Sequence, residues 1–440
     1  MLMITDTTSH RVLAPLVETV KKALFAAGID CAVYDEVNKN PTTEHVESAL
    51  VMAEEVAPDC LVSVGGGSTH DAAKAVRALY GNLQQASVYD IEGVEEIAEG
   101  FTPLLKHVTV STTSGSSAEL SRLAIITDTV HHEKISIIDP RLTPTVTCND
   151  TLLLLSQPPD LVASSGMQAL SHAMEAFLST ASSPITDAAA LHAIRLIHAY
   201  LRRAVQSPKP LDEEDESMKA HEMLTYAEFL SGLAFNSAGL GLTHTISNQM
   251  SALYPSVSVS ECTSVVLPHV LQYYGEQGTN EHGGKSKNNV VELFVDLAAA
   301  LGCSASATYS ATTAVPAVIR SVARLASDVN QPETIKELNA RVRAGMKIDD
   351  IPEIAAKALT DPGGMTAPRH PSLGEMESLI CRAWDSGLTG TAAADFLKET
   401  PVAESHAKHI RVKSSEYVDF NDAAAAMIEE NEKEEEEMIE

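Results

Sequence analysis

Apolar positions in the first third of the chain switch between two periods. Val12-Leu13, Leu16-Val17 and Val20 recur at helical spacing up to Gly28, and Cys31-Ala32-Val33-Tyr34 then reads as a short strand ending in Asp35. A helix over residues 43–55 leads to an apolar strand over 60–64. Another helix runs to Leu79, and Lys106-His107-Val108-Thr109-Val110 supplies a further strand. Strands separated by helices of this length predict βαβ units and a parallel sheet covered on both faces. After about Asp160 the pattern becomes long Ala/Leu-rich helices, for example over 166–178, 184–205 and 219–237. The predicted class is α/β up to residue 159, all-α over 160–390, and an extension over 391–440. Residues 275–289, rich in Gly, Asn and Lys, read as a flexible surface loop.

Chemistry enters where the strand at 60–64 meets Gly65-Gly66-Gly67-Ser68-Thr69-His70-Asp71. Glycines have no Cβ, so they are free to take φ > 0 and to bring backbone N–H groups close to an anion. The helix that follows aims its unpaired N–H groups at the same place. The spacing is neither GxGxxG nor GxxxxGK[ST]. On residues alone the choice is between a phosphate-binding turn and a plain strand-to-helix turn. In a parallel sheet, ligands sit beyond the carboxyl ends of the strands, where this turn and Thr112-Thr113-Ser114-Gly115-Ser116 both fall.

Composition narrows the partners. The net charge of −29 and the lack of a Lys/Arg stripe argue against nucleic acid or an anionic membrane. Part of the acidity lies in Glu429-Glu430-Asn431-Glu432-Lys433-Glu434-Glu435-Glu436-Glu437, where like charges repel, and the expectation is a solvated, disordered tail. The six cysteines lie far apart without CxxC spacing and are expected to be free thiols. There is no basic leader and no apolar run of membrane-spanning length, so a cytoplasmic protein is expected.

With the glycine turn, Ser111-Thr112-Thr113-Ser114-Gly115-Ser116-Ser117-Ala118-Glu119, Ser165-Gly166-Met167-Gln168-Ala169-Leu170-Ser171-His172-Ala173-Met174-Glu175-Ala176 and Gly239-Leu240-Gly241-Leu242-Thr243-His244 in this order, the chain resembles the iron-containing alcohol dehydrogenase family. The likeness runs from about Asn40-Pro41-Thr42 to Ala383-Trp384 and includes Val265-Val266-Leu267-Pro268-His269-Val270. It implies a Rossmann-like dinucleotide-binding domain over 1–159, a helical substrate and catalytic domain over 160–390, and a cleft between them. It also implies NAD as cofactor, a small-molecule substrate and a homodimer. By the same resemblance Gly65, Gly66, Gly67, Ser68 and Asp71 match the pyrophosphate turn, and Thr112, Thr113 and Ser116 match the loop facing the cofactor. Lys134 matches a lysine near the nicotinamide ribose, and Asp35 the acidic position at the adenosine ribose, where a carboxylate repels a 2′-phosphate and favours NAD over NADP.

The family's metal site takes Asp and His four residues apart on one helix and two later histidines. Here these positions read Gln168, His172, His244 and, with a one-residue gap, Val259. An amide replaces the carboxylate and an apolar side chain replaces an imidazole, so no tightly bound catalytic metal is expected; a carboxylate such as Glu261 could still rescue a weak site. The maleylacetate reductase branch, with an amide at the first ligand position, is the nearest likeness in this respect. His172 and His244 are the candidate acid/base residues, since an imidazole exchanges protons near neutrality. His70 and His269 read as structural or surface residues. The expected activity is a metal-independent NAD(H)-dependent oxidoreductase acting on a small, possibly carboxylated, organic molecule. A lyase, isomerase or cyclase on the same scaffold, or a catalytically silent binding protein, are the alternatives.

Overall fold

Leu2, Met3 and Ile4 have no solvent exposure, which is what a strand buried on both faces of a parallel sheet requires. In the computed structural model, which describes residues 1–6, 10–82, 84–98, 104–206, 216–276 and 290–388, they form β1 (Leu2–Asp6), a strand that the periodicity did not predict. The chain continues through α1 (His10–Ala26), β2 (Ala32–Val37), α2 (Thr43–Val56), β3 (Cys60–Gly65) and α3 (Gly67–Leu79). Next come β4 (Gly93–Val94), β5 (Lys106–Ser111), β6 (Leu123–Asp128), β7 (Glu133–Ile138) and β8 (Val146–Cys148). Strands β2, β1, β3, β5 and β8 lie in that order in one sheet, each pair parallel. The order reverses direction between β1 and β3, so the crevice beyond their carboxyl ends is a topological switch point. Strands β6 and β7 form an antiparallel hairpin with β4 in a second, three-stranded sheet.

The remaining elements are helical: α4 (Thr151–Leu154), α5 (Pro159–Leu178), α6 (Pro184–Gln206), α7 (Glu216–Ala238), α8 (Leu242–Leu253), α9 (Val259–Gly275), α10 (Val290–Ala300), α11 (Ala311–Asp328), α12 (Ile335–Val342), α13 (Ile351–Thr360) and α14 (Leu373–Asp385). Among the described residues no strand follows Cys148. Helix α5 opens with a proline in its first turn, where a missing N–H costs nothing. That start precedes the predicted residue 166 by nearly two turns. One apolar core unites α5 to α14; a second joins α2 and α3 to the sheet and the hairpin, and a small third lies under α1. Each fully buried Leu, Ile or Met in them contributes about 1.5–3 kcal/mol. The extension over 391–440 with its acidic tail, and most of the loop expected at 275–289, lie outside the described residues; Gly275 itself ends α9.

Candidate active site

The glycine turn is tight because other side chains crowd it. A Cβ on Gly66 would sit 2.6 Å from Thr113 Oγ1, one on Gly67 would sit 2.8 Å from Ser116 Cβ, and one on Gly65 would overlap the Thr69 side chain. None of the three has positive φ. The expectation of left-handed glycines here is therefore corrected: the positions need glycine for close approach. The residue that does take left-handed φ, +130°, is Gly115 in the facing loop, where a Cβ would run into the Ser165 carbonyl. The Thr112 N–H donates to Gly65 O at 2.9 Å and joins loop to turn. Glu228 of α7 accepts the Gly115 and Ser117 N–H groups from below. By position the first N–H groups of α3 have no intrahelical acceptor and face outward.

Beyond the strand ends lies a cavity of about 760 Å³, within the size range of small-molecule and cofactor sites. Gly66, Gly67, Ser68, Asp71, Thr112, Thr113, Ser116 and Lys134 line one part of it, and Gln168, His172, His244 and Val259 another. Gly65 and Asp35 are not among the lining residues. Asp35 is exposed and lies two residues before the end of β2, which runs on to Val37, so the strand-end position expected of it is corrected.

The cavity wall carries unusual charges. Lys134 donates to Asn40 Oδ1 at 3.1 Å and Thr127 Oγ1 at 2.8 Å, and burial pushes its ammonium down to about 7. Burial pushes the Asp71 carboxyl up to about 6; its Oδ2 accepts the Ile125 N–H, and Lys74 stands 3.6 Å from Oδ1. Asn40, in a left-handed conformation, also accepts from Ser251 Oγ and donates to the Pro255 and Val257 carbonyls, tying the β2–α2 connection to the α8–α9 connection.

The imidazoles of His172 on α5 and His244 on α8 stack nearly parallel, 10° apart, with centroids 4.4 Å apart. Phe235 packs on His172 at 4.4 Å. Glu175, one helical turn beyond His172, accepts the Gly241 and Thr243 N–H groups at 3.0 and 2.6 Å and lies 2.6 Å from His244 Nδ1. A carboxylate is favourable there, since the first N–H groups of a helix lack partners and carry partial positive charge. His172 Nδ1 and His244 Nε2 are buried without a hydrogen-bond partner. Glu261 lines the cavity, but its Oε2 is shared by Lys39 Nζ at 2.9 Å and by the Ser258 N–H and hydroxyl. Among the described residues, one set of three His, Cys, Asp or Glu ligand atoms comes within 4.8 Å of one another: Asp128, His131 and Glu133, at the tip of the β6–β7 hairpin.

Sequence reasoning missed Glu175, Asn40 and Lys39. The signal for Glu175 was present in His172-Ala173-Met174-Glu175, since positions i and i+3 share a helix face. His70 proves fully buried, bonded through Ser63 to His107 and through Nε2 to Ser111; its role is structural. His269 is likewise buried.

Comparison with known proteins agrees with this architecture. Residues 1–151 match the model for iron-containing alcohol dehydrogenases, and residues 162–384 match that for the C-terminal part of the Fe-containing alcohol dehydrogenase family. The chain is 33% identical to the 1,3-propanediol dehydrogenase of Citrobacter freundii over 87% of its own length and 91% of the relative. It is 32% identical to the NAD-dependent methanol dehydrogenase of Bacillus methanolicus over the same shares. A crystal structure of 1,3-propanediol oxidoreductase superposes with a TM-score of 0.75 at 32% identity, covering 87% of this chain and 91% of that one. The chain belongs to the iron-containing alcohol dehydrogenase family.

Proposed function

We propose that this chain is a metal-independent, NAD(H)-dependent oxidoreductase that interconverts the alcohol and carbonyl forms of a small organic molecule, with 1–159 holding the dinucleotide and 160–390 the substrate. The observation that carries the reading is the donor set around His172 and His244. A catalytic zinc site uses three protein ligands and keeps a fourth position open. Here Gln168 offers a neutral amide, Val259 offers nothing, and the carboxylates of Glu175 and Glu261 are committed to backbone N–H groups and to His244 or Lys39. An imidazole lone pair lies in its ring plane, so two parallel stacked rings cannot both aim at one ion. These residues do not fit a tightly held divalent metal.

The nicotinamide, when bound, supplies the hydride. Gly66 and Gly67 leave room for the pyrophosphate, and the α3 N-terminus favours its charge. Lys134 and Thr112 line the same cavity as the histidines. The His172–His244 pair is the source of the proton and of charge stabilisation at the substrate oxygen. By the family resemblance Asp35 is assigned to the adenosine ribose, where its carboxylate would disfavour a 2′-phosphate, although it lies outside the cavity lining. An amide at position 168 supports the likeness to the maleylacetate reductase branch. Carboxylate recognition would require Lys39 to exchange Glu261 for the substrate, because Lys39 is already paired.

The test follows NADH absorbance and product together over a panel of aldehydes, ketones and oxoacids. NADH consumed in step with alcohol formed supports the reading. Product without net NADH change identifies a lyase, isomerase or cyclase, and NADH binding without product identifies a silent binding protein.

A further inference from the structure

The two cavity histidines are not equivalent, and the difference assigns their roles. We propose that His244 exchanges the proton with the substrate oxygen, that Glu175 is its positioning residue, and that His172 is a neutral stacking partner; the assignment rests on the oxidoreductase reading above.

The Glu175 side chain is buried with 2% exposure, and both oxygens are occupied: Oε1 by the Thr243 N–H, Oε2 by the Gly241 N–H and His244 Nδ1. Gly241 and Thr243 flank the first residue of α8, so the same carboxylate closes the helix start and grips the ring one residue further on. A carboxylate only accepts hydrogen bonds, so Nδ1 must carry the hydrogen. That fixes the tautomer and leaves Nε2 as the exchanging nitrogen. Nε2 is buried, has no protein partner, and belongs to a residue that lines the cavity.

His172 has no such partner. Its ring neighbours are Phe235 and the face of His244, each at 4.4 Å, and it hydrogen-bonds the backbone of Gly115. Two imidazolium rings at that distance would repel, so the stacked pair does not carry two positive charges. What His172 supplies is a flat, uncharged wall that limits the rotation of His244.

The reducing step balances without a metal. A bound NADH would supply the hydride to the carbonyl carbon, and the C=O π pair would then move to oxygen. The Nε2–H bond of His244 breaks, its electron pair stays on the ring, and the proton forms the new O–H bond. In the oxidising direction the same nitrogen takes the proton back.

The test compares Glu175→Gln, His244→Ala and His172→Ala, assayed with chelator present and with added imidazole. E175Q keeps the shape but removes the charge, and is expected to lower kcat on the order of 10–100-fold, while KM and NADH affinity stay near wild type. His244→Ala is expected to recover rate with external imidazole, and His172→Ala is not. The assignment is overturned if E175Q retains wild-type kcat, if E175Q loses NADH affinity in the same proportion as rate, or if imidazole rescues His172→Ala instead. Should E175Q fail to fold, the rescue arm still decides between the rings. Absence of NADH-linked turnover in the wild-type protein overturns the oxidoreductase reading itself, and this assignment with it.

Discussion

Close contact, rather than left-handed backbone, is what Gly67 contributes, and this sets the outcome of changing it. A methyl group there meets Ser116 and displaces the loop that faces the pyrophosphate. Gly67→Ala is expected to weaken NADH binding by at least about tenfold, or about 1.4 kcal/mol, in a fluorescence titration; unchanged affinity removes the turn from the site. At Asp35 the expected effect is on selectivity: wild type binds NADH more tightly than NADPH, and Asp35→Ala narrows the gap in the same titration. Lys134 makes a prediction about pH. Its ammonium is pushed down to about 7 by burial, from an unfolded value near 10.5. The unfolded chain therefore binds the extra proton over that interval, and stability present above about pH 10 is lost as pH falls towards 7. Melting temperatures of Lys134→Met relative to wild type should accordingly rise as pH is lowered through this window and level off below it. A difference that is flat or of opposite slope contradicts the burial of a titrating ammonium.

At the scale of elements, the α3 start and the 112–117 loop were legible because their small residues follow buried strands directly. What tied them to the helical region was not. Asn40 sits in the quoted Asn40-Pro41-Thr42, yet nothing local says that its amide reaches the Pro255 and Val257 carbonyls more than two hundred residues away. Asn tolerates the left-handed φ of 61° that this corner needs. Asn40→Ala strands two carbonyls, Lys134 and Ser251, and is expected to cost at least about 2 kcal/mol in denaturant unfolding. A loss of a few tenths instead would mean that the corner is not a fastening point. Strand β1 and the β6–β7 hairpin escaped the periodicity for a related reason: Leu2-Met3-Ile4 is a short continuous apolar run, which gives no alternation to read.

For the whole molecule, the order of helix and strand along the chain was enough to anticipate a parallel sheet followed by helices. The resemblance carried in four motifs named the family that both family models match. Placement was harder. Asp35 follows the family pattern by sequence, yet stands exposed, within β2 rather than at its end, and outside the cavity lining. Glu261, a carboxylate the sequence offered as a replacement metal ligand, is drawn to Lys39 and its own helix start. No described helix is long and apolar enough to cross a membrane. The central claim is that a dehydrogenase scaffold works here with a carboxylate-held imidazole in place of a Lewis acid. It is tested most directly by measuring NADH-linked turnover before and after exhaustive chelation, with the metal content of the same samples determined by elemental analysis. The account predicts far less than a stoichiometric metal and a rate that survives chelation; a stoichiometric iron or zinc, with activity lost on its removal and restored by that ion alone, would contradict it.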